Sequence, residues 1–414
     1  MTVRAATRSD LVEQFDAVVD GNPNVDRHEV FARLRADLPS FFSQRLDAWV
    51  FTRYGDVKEV LSSDERFGRP LHGPGKPVYG RSFLEMTGRE HNKKVGIVAR
   101  EMRTPRAVKE RLDGMMDKIA REQAELLPFG EEVDLRASYD MWVPLLAITE
   151  LMQVDEAPRF CEWYHAIANG GVASIANPAA RDAAIKARDE VKEFLVPVVA
   201  ERRENPGDDL ISHLLQGEFD GKPLPEEEIY AAVVFLLTAG VETTERVLTS
   251  TFRHLALNPE AWEEAAGRRG DRDRLSAFSA EALRIFPPVQ GLVREARRDE
   301  EVGGIAIKEN QKVVPMLASG NRDESVFADP QRFDPDRFAD NPGRQFGSSG
   351  DILPFGAGPH HCTGSRLGEV EMYHAFTKLF DRVGRMTPAR ELPPSQGFIL
   401  HSPPELPVVL EARV

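Results

Sequence analysis

The chain has 414 residues and a formal net charge of −14 at pH 7, and 41% of its residues are hydrophobic. A chain of this length and composition can bury a large core, as globular proteins do. The acidic balance argues against nucleic-acid binding, which normally requires a basic surface.

Signals for export and crosslinking are absent from the sequence. The first eight residues lack the apolar core of a signal peptide. The longest apolar run, at residues 229–237, is far shorter than the roughly 20 residues that span a bilayer. The two cysteines, Cys161 and Cys362, do not suggest a disulfide framework. We therefore expect a soluble, cytoplasmic protein that is not bound to a membrane.

The N-terminal half is predicted to be mostly helical. Helical periodicity occurs near residues 25–38 and 56–62, with a short strand between them at residues 48–52. Residues 67–79 are rich in Gly and Pro and predict a long loop, which in a compact domain often has a function. Helical patterns then dominate from residue 89 into the 190s.

The longest predicted helix begins near Pro225 and ends near Leu257. Three glutamates follow Pro225 and favour the positive end of the helix dipole, and Asn258-Pro259 stops the helix. A helix of about 33 residues extends roughly 50 Å, enough to cross a domain.

Beyond this helix the predicted elements become shorter and more varied. The sequence predicts a helix at 275–286, a hairpin at 301–316, an irregular region at 321–350, a helix at 365–383 and a β-rich end at 397–410. The chain is thus expected to be mainly α with a smaller β portion. Because no linker or internal repeat occurs, we expect residues 1–414 to form a single domain.

The strongest signal in the chain is residues 355–364, Phe-Gly-Ala-Gly-Pro-His-His-Cys-Thr-Gly. Its glycines allow conformations that a side chain would forbid and a close approach to a flat ligand. Surrounding amides and a helix that starts near Ser365 would stabilise Cys362 as a thiolate. A tight turn with a buried thiol is the plain alternative, and a zinc site formed with His360 and His361 is another.

Six positions of this loop together match a pattern that arises by chance on the order of 10⁻⁸ times per start position. They are Phe355, Gly356, Gly358, His360, Cys362 and Gly364. The loop resembles the haem-binding loop of the cytochrome P-450 family, in which a cysteine thiolate on haem iron favours O–O cleavage.

The resemblance implies a haem b group (iron protoporphyrin IX) between the long distal helix and the cysteine loop. Cys362 would be the axial ligand of the iron, His360 would contact a haem propionate, and Phe355 would shield the sulfur. The next helix continues Leu367-Gly368-Glu369, whereas Ala and Arg are common after this leucine in the family. That departure concerns the local surface and not the ligand.

Residues 239–244, Ala-Gly-Val-Glu-Thr-Thr, lie midway along the long predicted helix. Gly and β-branched residues are unfavourable there and can mark a functional kink, and threonine hydroxyls can bond back to helix carbonyls. An acid beside an alcohol can deliver protons, but an imperfect buried helix with Glu242 facing solvent fits equally well. The segment matches the family's acid–alcohol pair, which implies that Glu242 relays protons and Thr243 supports O₂ activation.

A charged pair follows in the family's order. Glu281 and Arg284 lie three residues apart and by themselves predict only a surface ion pair. Together with Arg337, they resemble a network that stabilises the family's core, which implies a structural role.

Two further residues resemble the family's propionate ligands. Arg294 matches an arginine whose planar fork suits a carboxylate, and an exposed arginine is the plain alternative. His91 resembles the second propionate histidine. Because Val95 stands where an arginine is usual, we expect the propionate to be held incompletely or by other residues.

Substrate-facing positions carry over only loosely from the family. They include the loop at residues 67–79 and a mostly apolar set, which suits a hydrophobic small molecule. The set is Phe235, Thr238, Ala239, Gln290, Leu292, Ile399 and Leu400.

Positive charge is concentrated in one segment of this acidic chain, at Lys93, Lys94, Arg100, Arg103 and Arg106. A solvated helix face is the usual explanation of such a run. The resemblance implies a docking surface for a ferredoxin or flavodoxin, which with its reductase would supply electrons because no reductase domain is fused to the chain.

The resemblance as a whole implies an O₂-dependent monooxygenase that hydroxylates or epoxidises a hydrophobic organic molecule such as a terpenoid or polyketide. A peroxide-using haem-thiolate peroxygenase is an alternative, against which the Glu242–Thr243 pair argues. A non-catalytic haem sensor is another, against which the absence of an output domain argues.

Overall fold

The computed structural model describes residues 8–70, 76–171 and 177–413. Two sets of residues used in the sequence analysis lie outside the described residues. They are residues 1–7, which lack the apolar core of a signal peptide, and residues 71–75 of the predicted loop. The helices are α1 (Arg8–Val19), α2 (Arg27–Asp37), α3 (Tyr54–Leu61), α4 (Lys76–Tyr79), α5 (Gly88–Arg103), α6 (Pro105–Ala107), α7 (Asp113–Glu125), α8 (Trp142–Met152), α9 (Ala157–Gly171), α10 (Pro178–Glu204), α11 (Leu210–Gln216), α12 (Glu226–Leu257), α13 (Pro259–Ala266), α14 (Arg272–Ile285), α15 (Leu317–Gly320) and α16 (Ser365–Arg382).

The strands are short and form small sheets. They are β1 (Ser40–Ser43), β2 (Ala48–Phe51), β3 (Phe67–Gly68), β4 (Glu132–Asp134), β5 (Glu218–Phe219), β6 (Lys222–Pro223), β7 (Arg294–Ala296), β8 (Glu300–Val302), β9 (Ile305–Ile307), β10 (Lys312–Pro315), β11 (Val383–Pro388) and β12 (Pro407–Ala412). The predicted composition, mainly α with a smaller β portion, is confirmed.

The chain divides into two compact units. The first contains the residues up to Pro70, Thr249–Cys362 and Pro388–Leu406, and the second contains Leu71–Leu248, Thr363–Thr387 and the residues from Pro407 onward. The boundary falls inside α12, after Leu248. The expectation of a single domain stays a prediction.

The first unit is built on a five-stranded sheet with the order β1-β2-β10-β7-β3. Strand β10 runs parallel to β2 and antiparallel to β7, and β3 pairs antiparallel with β7 at the edge. Buried side chains of α1, α2, β1 and β2 form one hydrophobic cluster, and those of α3, β3, β7 and β10 form another. The sheet therefore supports the loops that follow its strands.

The second unit consists mainly of packed helices, including α5, α7 to α11 and α16, with a three-stranded sheet of order β11-β12-β4. Its helix ends follow their sequence signals. The side chain of Asn177 caps α10 by accepting from the N–H of Ala180, and Asp209 caps α11 in the same way. The Tyr139 hydroxyl joins α16 by donating to the Ala375 carbonyl at 2.8 Å.

The long predicted helix is confirmed as α12, a single α-helix of 32 residues. The loop predicted at residues 67–79 is only partly correct, because it contains strand β3 and the helical turn α4. Gly and Pro signal a turn, but they carry no information on the distant strand β7 with which β3 pairs. Among the described helices, none combines the length and apolarity that crossing a bilayer requires.

Candidate active site

The cysteine loop is a tight turn of the first unit. Gly356 and Gly358 have φ angles of 71° and 68°, in the region that favours glycine. A Cβ on Gly358 would lie 2.6 Å from the backbone oxygen of Ser62, so the loop approaches that segment as closely as glycine allows. The N–H of Cys362 donates to the Phe355 carbonyl at 2.8 Å, and Cys362 itself is exposed, not buried as in a plain turn with a core thiol.

Cationic groups lie in the same unit as this loop. Arg294, on β7, is 7% exposed, and burial lowers the pKa of its guanidinium to about 9. Its hydrogen bond goes to the backbone oxygen of Val293 at 3.3 Å, and among the described residues no carboxylate forms an ion pair with it. His360 lies with Nε2 3.5 Å from a carboxylate oxygen of Asp64. The alternative of an exposed arginine is therefore wrong for Arg294.

A zinc site at the cysteine loop gains no support. Within the part of the chain that the structure describes, the side chains positioned to share a metal ion are Glu101, Asp208 and His213, which do not include Cys362. His213 there lies 3.4 Å from each of the two carboxylates, an arrangement that a surface ion pair explains.

The acid–alcohol pair lies on α12, in the second unit. Glu242 is 6% exposed, so the interpretation that it faces solvent is wrong. Its carboxylate accepts from Arg246 Nη2 at 2.7 Å, and burial raises its pKa although the Arg246 charge opposes the change. The Thr243 hydroxyl donates to the Ala239 carbonyl at 3.1 Å, one helical turn back.

The charged trio of the first unit forms a buried network. Arg284 donates to both carboxylate oxygens of Glu281 at 2.7 Å, and both side chains are fully buried. Arg337 Nε lies 3.3 Å from Glu281. A buried pair of this kind is strongly coupled to folding, unlike the surface pair that spacing alone predicts.

Comparison with known proteins assigns the chain to a family. A family model described as Cytochrome P450 (cytochrome P-450) matches residues 172–406, more than half of the chain. The chain belongs to the cytochrome P-450 family. Nocardicin C N-oxygenase of Nocardia uniformis subsp. tsuyamanensis is 31% identical over 93% of this chain and 96% of that protein. Linalool 8-monooxygenase of Pseudomonas putida is 30% identical over 86% and 89%, respectively.

Solved structures agree with this assignment. The crystal structure of CYP109E1 from Bacillus megaterium in complex with testosterone matches with a TM-score of 0.80 and 26% identity, over 93% of this chain and 99% of that one. The cytochrome P-450 is accordingly a haem-binding monooxygenase.

The residues of the first unit fit the haem of a cytochrome P-450. Cys362 is exposed in a glycine turn that a flat ligand can approach closely, and the buried Arg294 guanidinium forms no ion pair with a carboxylate of the described residues. Haem brings both an iron that takes thiolate and carboxylates that pair with arginine.

The remaining predicted residues are divided between the two units. His91 is buried on α5 of the second unit, where Nδ1 lies 3.4 Å from the Asn92 side-chain oxygen. Phe235, Thr238 and Ala239 lie along α12, and the Phe235 ring contacts that of Tyr79.

The first unit contains the other predicted pocket residues. The N–H of Gln290 donates to the Ile399 carbonyl at 2.7 Å, and Val289 forms a β-bridge with Leu400. Leu292 packs against the cluster around α3. These contacts bring the segments around Gln290 and Leu400 together, although the sequence separates them widely.

One member of the basic segment was wrongly assigned to the surface. Lys94 is 4% exposed, and its Nζ lies 2.7 Å from Glu90 and 2.6 Å from Glu228. These pairs turn it into an internal link between α5 and the start of α12. Lys93, Arg100, Arg103 and Arg106 are exposed, as a solvated face requires.

Several charged residues around Glu242 were missed. Arg136 Nε lies 2.7 Å from the buried carboxylate of Glu245, to which the hydroxyl of Tyr164 also donates. Arg246 follows Glu242 by four residues, a spacing that by itself predicts an ion pair on a helix. That signal was available in the sequence, whereas the contacts of Glu245 depend on distant segments.

Glu371 on α16 is another residue that the sequence analysis did not identify. It is fully buried, and one carboxylate oxygen accepts from the Thr244 hydroxyl at 2.7 Å. No donor among the described residues lies within hydrogen-bonding distance of its other oxygen. Burial raises the pKa of Glu371 to about 7, although the Thr244 bond opposes the change.

Proposed function

We propose that this cytochrome P-450 uses O₂ to hydroxylate or epoxidise a hydrophobic organic molecule, with electrons from separate redox proteins. The observation that carries the proposal is the buried Glu242 beside Thr243, midway along α12. A carboxyl group whose pKa is raised by burial, next to an alcohol, is suited to hold and pass on a proton. A peroxide-using enzyme does not need protons delivered to O₂.

Cys362 is proposed as the axial ligand, with Phe355, Gly356 and Gly364 shaping its loop. When bound, haem supplies the iron at which O₂ is activated, and the thiolate donates electron density that favours O–O cleavage. Arg294, His360 and His91 are proposed to hold the propionates. The guanidinium of Arg294, which is buried and forms no ion pair with a carboxylate in the described part of the chain, supports the first of these roles.

Glu242 is proposed to hold the proton, and Thr243 to pass it on. The Thr243 hydroxyl now donates to the Ala239 carbonyl, and rotation about its χ1 angle would release it. Arg246 fixes one orientation of the Glu242 carboxylate. In the first unit, Glu281, Arg284 and Arg337 are proposed to act on the stability of the fold and not on the reaction.

The proposed substrate is a hydrophobic compound of terpenoid, polyketide or steroid type. The predicted pocket residues, which are mostly apolar in each unit, support this class. The names of the relatives, which include a linalool monooxygenase, and of CYP109E1 bound to testosterone are consistent with it.

A ferredoxin or flavodoxin with its reductase is the proposed electron source. Lys93, Arg100 and Arg103 expose positive charge on α5, which would attract an acidic partner.

The test of the thiolate is the difference spectrum of the reduced, carbon-monoxide-bound protein. We expect a Soret band strongly shifted to the red, and its loss in Cys362→Ala. A Cys362→Ala protein that keeps the shifted band would refute the ligand assignment.

The test of O₂ activation is the coupling of electron use to product formation. Thr243→Ala should divert reducing power from product to hydrogen peroxide. Thr377→Ala is the matched control, since Thr377 makes the same back-bond on α16 to the Tyr373 carbonyl. Equal coupling in the two variants would contradict the role of Thr243.

A further inference from the structure

Two arginines lie side by side at the edge of the first unit's sheet. Strand β3 pairs antiparallel with β7, and the register sets Gly68 opposite Glu295. Arg69, the residue after Gly68, lies just beyond the end of this pairing, and continuing the register would set it opposite Arg294. Residues directly opposite each other in antiparallel strands project to the same face, with Cβ atoms about 5 Å apart.

The backbone at Arg69 is held from the other face of the strand. Arg297 extends across Gly68, where a Cβ would lie 2.3 Å from its Nε, and donates to the Arg69 carbonyl at 2.5 Å. This contact holds the backbone of Arg69 beside the end of β7.

Like charges directly opposite each other destabilise a sheet unless an anion lies between them. Burial is the main cause that lowers the pKa of Arg294, and the charge of Arg69 lowers it further, as expected of close neighbours. The charge of Asp64 raises the pKa of Arg294. The Asp64 carboxylate also lies 3.5 Å from His360 of the cysteine loop. Two arginines therefore act on one another near Asp64, whose carboxylate contacts the cysteine loop.

We infer that Arg69 binds a haem propionate together with Arg294 and supplies the cation that is missing at Val95. Guanidinium groups pair with carboxylates through two parallel hydrogen bonds, so two adjacent arginines provide donors for both propionate oxygens. The inference rests on the proposed propionate role of Arg294 and goes beyond it by assigning a residue from a different strand.

The test is the rate at which the holoenzyme loses haem to an excess of apomyoglobin, followed by the Soret band. Arg69→Gln should lose haem roughly tenfold faster or more, because a hydrogen bond to a charged group contributes about one tenfold step in affinity or more. Arg69→Lys keeps the charge without the planar fork and should lose haem more slowly than Arg69→Gln. The matched control is Arg298→Gln, which removes an exposed arginine near the end of β7.

A second measurement isolates the propionates. In protein reconstituted with haem dimethyl ester, whose propionates carry no charge, the difference between Arg69→Gln and the unmodified chain should disappear. The inference is overturned if Arg69→Gln loses haem at the rate of the unmodified chain, or if the difference persists with the ester. Arg294→Gln separates the two ideas: if it too leaves haem loss unchanged, the proposed propionate site fails, and if it alone accelerates haem loss, only the assignment of Arg69 fails.

Discussion

Replacement of the buried Glu371 by glutamine should change how stability depends on pH. The pKa of this carboxyl group is raised from 4.5 to about 7 in the folded protein, because burial removes its hydration. Ionisation in the folded state therefore costs about 3 kcal/mol more than in the unfolded chain. Glutamine has nearly the same shape and does not titrate.

The stability that the Glu371 carboxyl group contributes decreases as the pH rises. Because the folded pKa lies above the unfolded one, the folded state binds more protons between pH 4.5 and 7. The stabilising contribution is fully present below pH 4.5 and is lost as the pH rises through about 7. Between pH 5 and pH 8, the free energy of unfolding of the unmodified chain should fall by about 2.5 kcal/mol relative to Glu371→Gln.

The assay is urea unfolding of both haem-loaded proteins at several pH values, followed by circular dichroism. Haem binding contributes equally to the two proteins, so their difference isolates residue 371. Thr244→Val serves as a second variant: without its donor the ionised carboxylate is less favourable, so the fall should move to higher pH. A difference between the proteins that stays constant from pH 5 to pH 8 would refute the reasoning.

Three further changes test other parts of the two units. Glu281→Gln should destabilise the fold by about 3 kcal/mol, measured by urea unfolding, because two arginines lose their buried counter-charge; an effect under about 1 kcal/mol would contradict the buried network. Gly358→Ala should lower the free energy of unfolding by about 2 kcal/mol or more and reduce the haem content, because φ at this position is positive and the new Cβ would clash with Ser62. The control is Gly368→Ala on α16, where a Cβ has no neighbour within 4 Å, and it should leave the stability unchanged or raise it. Arg246→Met should raise the pKa of Glu242 further, so the alkaline limit of coupled turnover should move to higher pH; an unchanged pH profile would show that Arg246 does not act on that carboxyl.

The elements that the sequence predicts well are those with local signals. Helix α12 has acidic residues at its start, a long apolar periodicity and Asn258-Pro259 at its end, so its bounds are predicted to within one residue. The cysteine loop is equally local, since two of its glycines, Gly356 and Gly358, adopt the positive φ angles that their spacing suggests. Strand β3 has only two residues, and its existence depends on β7, more than 220 positions away.

The same distinction applies to the site. Glu242, Thr243 and Cys362 can be predicted as site residues because they lie in contiguous motifs. Arg246 was within reach, since four residues separate it from its partner. Arg69 was out of reach, because its role depends on the register of two strands, and no local pattern encodes that register.

Two of the buried glutamates of the second unit, Glu242 and Glu371, show why partners matter more than burial. Both lose their hydration, which favours the neutral carboxyl group. Glu242 has a cation 2.7 Å away at Arg246, which offsets part of that loss, whereas Glu371 receives one neutral hydrogen bond from Thr244. A hydroxyl brings no charge, so it offsets only part of the effect of burial, which raises the pKa of Glu371. The arginine favours the ionised form of Glu242, so the two carboxyl groups differ in the charge beside them and not in their burial.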